Sequence, residues 1–496
     1  MGEPLAIGLD IGLSTTKAVA FDTSGAVIAT AVRDSVNTQP KQRWVEREPE
    51  TFKQMIFEVL ADLAAQTAGR EFAGISQAAH GDGVWVLDGA GKPLRPGILS
   101  LDSRARRFAA EFAAEPLRSK LISAIGQLPM VSSAGPELRW IKENEPAVYA
   151  QIAYVLFPKD MARLWLTGDV AQDYTEVSSG FTDLQTQEVS AEVFELYGIP
   201  ELSHAVPKVL RSTALAGGLT PEAAAATGLP VGLPVAAGLH DVVAGSVGVG
   251  AIHSGDVSVV AGSYCVNQYI TDTPVTGDWM TRSFIRKGLW NSITASPSSS
   301  TNMDWFGRVL LPDLVESSRA AGRGSFGFLD TIFDGLEPLS EASPYYLPFL
   351  YGSPLPVDAS AGILGLRSWH TRADTVRAVF EGIALNHRHH LDKLPIPDAA
   401  LPRIMGGISR NPIWGQMMAD LLGREVEISS AAEPGALGVA MAAFVAGGFF
   451  ADLDEAVSQM VRPGRRVAPG PDADLMEARY ARYVALLEGL TNWWDM

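Results

Sequence analysis

Twice along this chain an apolar strand runs into a short turn of glycine and hydroxyl residues and comes straight back as a second strand. Near the N-terminus Ile7–Ile11 and Lys17–Phe21 flank Gly12–Thr16; in the middle Asp256–Ala261 and Tyr264–Ile270 flank Gly262-Ser263. Strand patterns follow the first pair at Ala26–Ala31, Phe72–Ser76 and Val84–Leu87. Helical patterns lie over Pro49 to about Ala65 and Asp102 to about Ala114. Alternating strands and helices predict an α/β fold with mixed sheets. The echo is one of pattern more than of residue identity, and it indicates an internal duplication: two related halves facing each other across a cleft. At 496 residues the chain also exceeds what one core organises. The expected boundary falls in the glycine-rich stretch Gly245–Ser254, giving domains over 1–246 and 247–496. A helix from Asp472 to about Leu490 is expected to close the fold.

Bulk composition narrows the function classes. A formal net charge of -17 disfavours nucleic acid and anionic membranes as partners. A phosphate-bearing ligand must then be met by local backbone donors or a metal ion. Cys265 is the single cysteine, which excludes a disulfide framework and any cysteine-based metal cluster within one chain. The N-terminus lacks the basic region of a secretory signal. The apolar stretch Gly435–Ala451 is broken by glycines and bounded by Glu433 and Asp452, which favours a buried helix over a membrane span and the cytoplasm as location.

Three segments carry candidate chemistry. In GLDIGLSTTKAVAFD, Asp10 ends an apolar strand and a turn rich in Gly and hydroxyls follows. Its free N–H groups and the hydroxyls of Ser14, Thr15 and Thr16 suit phosphate oxygens, Asp10 suits Mg²⁺ through water, and Lys17 suits phosphate charge. An ordinary hairpin whose polar side chains satisfy turn backbone explains the same residues. In GLHDVVAGSVGVG, Pro234–Ala237 reads as a strand and Asp241 stands where a small-residue helix begins. There it suits a proton acceptor, or simply an N-cap. In IMGGISRNPIWGQMMADLLG, Gly406-Gly407 follows a strand and precedes a helix. Paired glycines admit a flat nucleotide close to backbone, or mark a connection needing positive φ. The stripe Trp414, Met417, Met418 and Leu421 reads as core. Gly89–Leu94 imitates part of a P-loop but has Pro93 where Ser or Thr belongs, and reads as a hairpin turn. His387, His389 and His390 interleave with Arg388 on a helix and do not read as a metal site.

Together these segments resemble the FGGY family of carbohydrate kinases, within the actin-like ATPase superfamily. The resemblance extends through QRWVEREPETF, HGDGVWVLDGAGKPLRPGILSLDSRA, FPKDMARLWLTG, PFLYGS, AGILGL and FEGIALNH in matching order. It implies two actin-like (ribonuclease H-like) domains with a central nucleotide and sugar cleft, and an ATP-dependent sugar kinase using Mg²⁺. By it, Ser14, Thr15, Lys17, Gly262 and Ser263 meet ATP phosphates. Gly406, Gly407 and Asn411 lie along the adenosine, and Asp10 positions Mg²⁺. Asp241 deprotonates the sugar, and His80, Asp82 and Asp241 contact it. The partner implied is a small sugar or polyol, and the resemblance leaves room for a homodimer.

The chain departs from the family pattern at Leu13, Ser263, Glu137, Thr375 and Val242. Ala78-Ala79-His80-Gly81-Asp82-Gly83 stands where xylulokinases carry Gln-Met-His-Gly. SLDSRA and ASPSSSTNMDWF resemble L-xylulose kinases and erythritol-type kinases. The expected acceptor is a terminal hydroxyl of a linear sugar, a pentulose such as xylulose or a related polyol. A nucleotide-binding regulator or chaperone-like ATPase of the same fold is the alternative.

Overall fold

The computed structural model describes residues 3–323, 326–333, 339–355 and 357–495. Its contacts divide it into two compact units, each assembled from three segments of the chain. One comprises Met1–Ser254, Ile270–Ser292 and Ala431–Arg462; the other comprises Gly255–Tyr269, Ile293–Ser430 and Pro463–Met496.

The first unit is built on a mixed sheet. The strand Leu5–Ile11 pairs antiparallel with Thr15–Phe21, which pairs antiparallel with Val27–Asp34. On its other side Leu5–Ile11 pairs parallel with Phe72–Ala79. Pro234–Ala236 and Leu239–His240 also lie parallel to Phe72–Ala79, and Leu215–Gly218 edges the sheet. Leu5, Ala6, Ile7, Leu9 and Ile11 are all fully buried, because helices cover both faces. The helix Pro49–Gln66 turns Phe52, Ile56, Val59, Leu60 and Leu63 into the same core as these strands. Each such side chain contributes about 1.5–3 kcal/mol of burial.

The helix Pro434–Ala446 belongs to this unit and is apolar all round, with Ala436–Phe444 buried. It fits because glycines let backbone meet backbone. A Cβ on Gly8 would lie 2.0 Å from the Ala436 carbonyl oxygen, and one on Gly438 would lie 2.0 Å from that of Ala244 in the helix Asp241–Gly248. The apolar stretch is thus a buried helix, and no helix among the described residues is long and apolar enough to cross a membrane.

The second unit repeats the pairing pattern. Val257–Ala261 runs antiparallel to Cys265–Thr271 and parallel to Pro402–Met405. Val426–Ile428 and Arg465–Val467 extend the sheet. Three long helices pack there: Arg372–Leu391, opened by a capping box between Thr371 and Asp374, then Pro412–Leu422 and Ala473–Trp494. A buried pair, Arg479 Nη2 to Glu381 Oε2 at 2.8 Å, joins the first of these to the last. His387 and His390 are buried on the first, and no cluster of three or more metal-type ligands occurs among the described residues. Trp414, Met417, Met418 and Leu421 are core. The segment Asp88–Lys92 closes a hairpin turn.

Candidate active site

Open α/β sheets present ligands beyond the carboxyl ends of their parallel strands. In the first unit three parallel strands end side by side. Leu5–Ile11 ends beside Asp10, Phe72–Ala79 ends at His80, and Leu239–His240 ends at Asp241. Register fixes the neighbours: Asp10 stands opposite Ala78, and His240 opposite Ala79.

Asp241 is the first residue of its helix, and His240 is the capping position. An N-cap aspartate accepts from an N–H two or three residues on; Asp241 Oδ1 instead accepts from Val242, at 2.7 Å. The capping explanation therefore does not hold. Burial and the charges of Asp10 and Asp82 push the Asp241 carboxyl up to about 7, against the Val242 N–H and Arg282. Its side chain keeps 38% exposure, so it can reach a ligand. Burial raises Asp10 to about 6, with Lys17 opposing and Glu433 adding to the rise.

The loop His80-Gly81-Asp82-Gly83 bends tightly: Asp82 has φ of 61° and Gly83 has 75°. Aspartate tolerates that region better than most residues. Asp82 thereby accepts from Ser133 Oγ at 3.2 Å and lies 3.5 Å from Arg282 Nη2. Gly81 is required by the ring behind it, since a Cβ there would sit 2.0 Å from His240 Nε2. His80 is neutral, lowered to about 3 by burial and by Arg47. Its Nδ1 lies 3.3 Å from Ser100 Oγ, and its buried Nε2 has no hydrogen-bond partner among the described residues. A buried ring nitrogen left open suits a ligand hydroxyl.

The first turn is held from beneath. The Gly12 N–H donates to the Thr15 carbonyl at 2.9 Å. Buried Arg47 donates from Nη2 to the Gly12 and Leu13 carbonyls, each at 3.3 Å, and Asn37 donates to Leu13 at 2.8 Å. With its carbonyls engaged below, the turn can offer N–H groups and the exposed Ser14 hydroxyl outward. Thr15 is half-buried, whereas Thr16 is fully buried with its hydroxyl 3.2 Å from Ser35 Oγ, so Thr16 is no phosphate donor. Lys17 is not a free counter-charge either: its Nζ lies 3.1 and 3.0 Å from the two Glu433 oxygens.

In the second unit Val257–Ala261 and Pro402–Met405 are parallel, with Val260 opposite Met405, so Gly262-Ser263 and Gly406-Gly407 emerge together. Gly406 has φ of 115°, and a Cβ there would lie 2.2 Å from the Ala261 carbonyl oxygen. Both properties demand glycine. Gly407 has ordinary backbone, and among the described residues a Cβ there would meet Phe326 alone, at 3.6 Å. Ser263 is exposed. Asn411 caps the helix Pro412–Leu422, its Oδ1 accepting from the Ile413 N–H at 2.9 Å, so its carbonyl oxygen already has a structural duty.

Arg282, His240, Arg47 and Glu433 are site residues that sequence reasoning missed. Arg47 and His240 lie inside quoted motifs, whereas nothing around Arg282 marks it out.

Residues 5–248 match the N-terminal domain of the FGGY family of carbohydrate kinases, and residues 259–447 match its C-terminal domain. An L-xylulose/3-keto-L-gulonate kinase from Escherichia coli is 31% identical over 495 residues, covering 98% of this chain and 97% of that protein. An erythritol kinase from Brucella abortus is 27% identical, covering 99% and 97%. Among solved structures, xylulose kinase from Rhodospirillum rubrum superposes with a TM-score of 0.87 at 29% identity, covering 99% of this chain and 100% of that one. With both domain descriptions matched in order across most of its length, the chain belongs to the FGGY family of carbohydrate kinases.

Proposed function

We propose that this ATP-dependent sugar kinase phosphorylates a terminal hydroxyl of a neutral linear pentulose, with Asp241 as the base. The supporting observation is the Asp241 carboxylate itself: first in its helix, bound to no cap, and raised to about 7. A base poised near neutrality can take the hydroxyl proton at working pH. As that proton moves to Asp241, the sugar oxygen forms its bond to the γ-phosphorus and ADP leaves with the bridging oxygen. His80 Nε2 and Asp82 contact the other sugar hydroxyls. The domain division at 246/247 gives the first half the sugar and one phosphate turn, and the second half the other turn and the adenosine. Ser14, Thr15, Gly262 and Ser263 serve the phosphates. Gly406, Gly407 and the Asn411 amide nitrogen flank the adenosine, while Lys17 reaches phosphate by leaving Glu433.

A magnesium ion fits the residues present. Mg²⁺ keeps several waters and takes one or two carboxylates plus phosphate oxygens. Asp10 accepts no hydrogen bond from described residues, and Glu433 and its own burial penalise its charge. Asp10 would hold the ion, directly or through water, and bound Mg²⁺ supplies neutralisation of the phosphate oxygens.

The charge around the sugar position supports a neutral acceptor. Asp82 and Asp241 are carboxylates, and the Arg282 guanidinium beside them is committed to Gln127, His240 and Asp82. A substrate carboxylate would meet repulsion there. The E. coli relative is named for both L-xylulose and 3-keto-L-gulonate. An ADP-release screen over D- and L-xylulose, 3-keto-L-gulonate, erythritol, glycerol and gluconate tests the reading. L-Xylulose should exceed the sugar acids in kcat/KM by about tenfold or more, the size of one lost polar interaction. Equal or faster turnover of a sugar acid would overturn the neutral-acceptor assignment, and sugar-independent ATP turnover alone would restore the regulator reading.

A further inference from the structure

We infer that His240 is a positioning residue that aims Asp241, and that Arg282 fixes the tautomer in which it does so. The inference rests on Asp241 being the base. A guanidinium can only donate. Arg282 Nη1 lies 3.3 Å from His240 Nε2, so Nε2 presents its lone pair and the ring proton sits on Nδ1. His240 Nδ1 is 3.3 Å from Asp241 Oδ1, a contact not yet aligned as a closed hydrogen bond. Catalytic hydrogen bonds are often loose before substrate binds.

The ring cannot drift. Its backbone N–H donates to Thr175 Oγ1 at 2.8 Å, and Thr175 Oγ1 donates to Asp173 Oδ2 at 2.9 Å. Gly81 closes over the Nε2 side. Arg282 is held in turn by Gln127 Oε1 at 2.9 Å from Nε and by Asp82 Oδ2 at 3.5 Å from Nη2. Glu176 Oε1 stands 3.9 Å from Nε2, beyond hydrogen-bond reach, and burial raises its carboxyl well above the usual range. The imidazole is neutral, pushed down by burial and by Arg282, Lys159 and His80.

One consequence concerns which carboxylate oxygen reacts. Asp241 Oδ1 already receives the Val242 N–H and faces the His240 Nδ1–H. Oδ2 is left to take the hydroxyl proton. Asp82, which the sugar would touch, is therefore linked to the base through Arg282 and His240.

Substitution separates this role from simple packing. Asparagine places an N–H near the position of Nδ1; glutamine places a polar group near Nε2; leucine supplies neither. His240→Asn should keep kcat within about tenfold of wild type. His240→Gln and His240→Leu should lose about 100-fold or more in kcat, the scale of a misplaced reactive group, with the KM for ATP unchanged. Equal losses in the Asn and Gln variants, or wild-type kcat in His240→Leu, would overturn the inference. Imidazole ¹⁵N shifts of the wild-type protein give a test that needs no variant: the Nδ1–H tautomer is expected at His240, and the Nε2–H tautomer would refute the arrangement. That measurement stands apart from the base assignment, which fails separately if Asp241→Asn retains turnover.

Discussion

Replacing Asp241 with asparagine should destroy activity and stabilise the protein, and the stabilisation should depend on pH in a set direction. Folding lifts the Asp241 carboxyl from its ordinary 3.8 to about 7. Three pKa units at about 1.4 kcal/mol each put a ceiling of about 4 kcal/mol on the cost of ionising it in the fold. The side chain is 38% exposed, and solvent screening reduces that cost to about 1–2 kcal/mol. A raised folded pKa means that stability is complete below the unfolded value and is lost as pH climbs through the folded one. Asparagine carries no charge and keeps an oxygen for the Val242 N–H. In metal-free buffer at pH 8 the variant should therefore melt a few degrees above wild type. The gain should shrink as pH falls toward 4 and vanish about one unit below the unfolded value of 3.8, where both states are uncharged. Sugar phosphorylation should fall about 10²–10⁴-fold, the usual worth of a general base, while ADP binds as before. Wild-type kcat/KM should rise with pH through about 7, since the base must be unprotonated. Differential scanning fluorimetry from pH 4 to 8 beside coupled ADP-release assays makes the comparison. A variant that melts below wild type at pH 8, or that keeps its turnover, would refute the electrostatic reasoning.

Two other substitutions probe the turns. Arg47→Met strips Nη2 donors from the Gly12 and Leu13 carbonyls and should raise the KM for ATP about tenfold, with a loss of about 2 kcal/mol or more in denaturant unfolding; an unchanged KM would show that the turn holds its shape without that arginine. Gly406→Ala drives a Cβ to 2.2 Å from the Ala261 carbonyl at φ of 115°, and should cost about 2 kcal/mol or more together with ADP affinity measured by calorimetry; wild-type ADP binding in a folded variant would detach this loop from the nucleotide.

What could be read from the chain alone was the part governed by local pattern. Period-2 runs ending in Gly and hydroxyl residues located the strands, and Asp10 and Asp241 fell at the carboxyl ends of parallel strands because those motifs carry their own strand and turn. Gly406 was legible for the same reason, though its close approach to Ala261 was not. Residues whose partners are set by the folded chain were only partly legible. Lys17 looks like a phosphate counter-charge until Glu433, more than 400 residues on, arrives to bind it. Thr16 looks equivalent to Thr15 until strand pairing turns it toward Ser35. Asn411 shows only as a ligand candidate because its capping of Ile413 depends on where the helix starts. Arg282 is the extreme case: it comes from Met280–Ser283, with no periodic or motif signal, and matters only because Asp82, Gln127 and His240 converge on it.

The same convergence bears on how so acidic a chain can handle a polyanion. Asp10 pairs across the sheet with Lys17, and Lys17 is shared with Glu433, so two carboxylates compete for one ammonium. Lys17 can therefore offset phosphate charge at the first turn only by leaving Glu433. Backbone N–H groups carry partial charge only, and they can point outward because Arg47 spends its own charge beneath the turn on the Gly12 and Leu13 carbonyls. The remaining deficit lies at Asp10, whose carboxyl is lifted to about 6. On the proposed reading, a divalent cation held by Asp10 would lower the cost of its ionised form and would screen Asp241 from it. Negative charge crowded behind the phosphate turn would weaken the binding of bare nucleotide. With magnesium at Asp10, as proposed, the same crowding would instead make nucleotide binding depend on the metal.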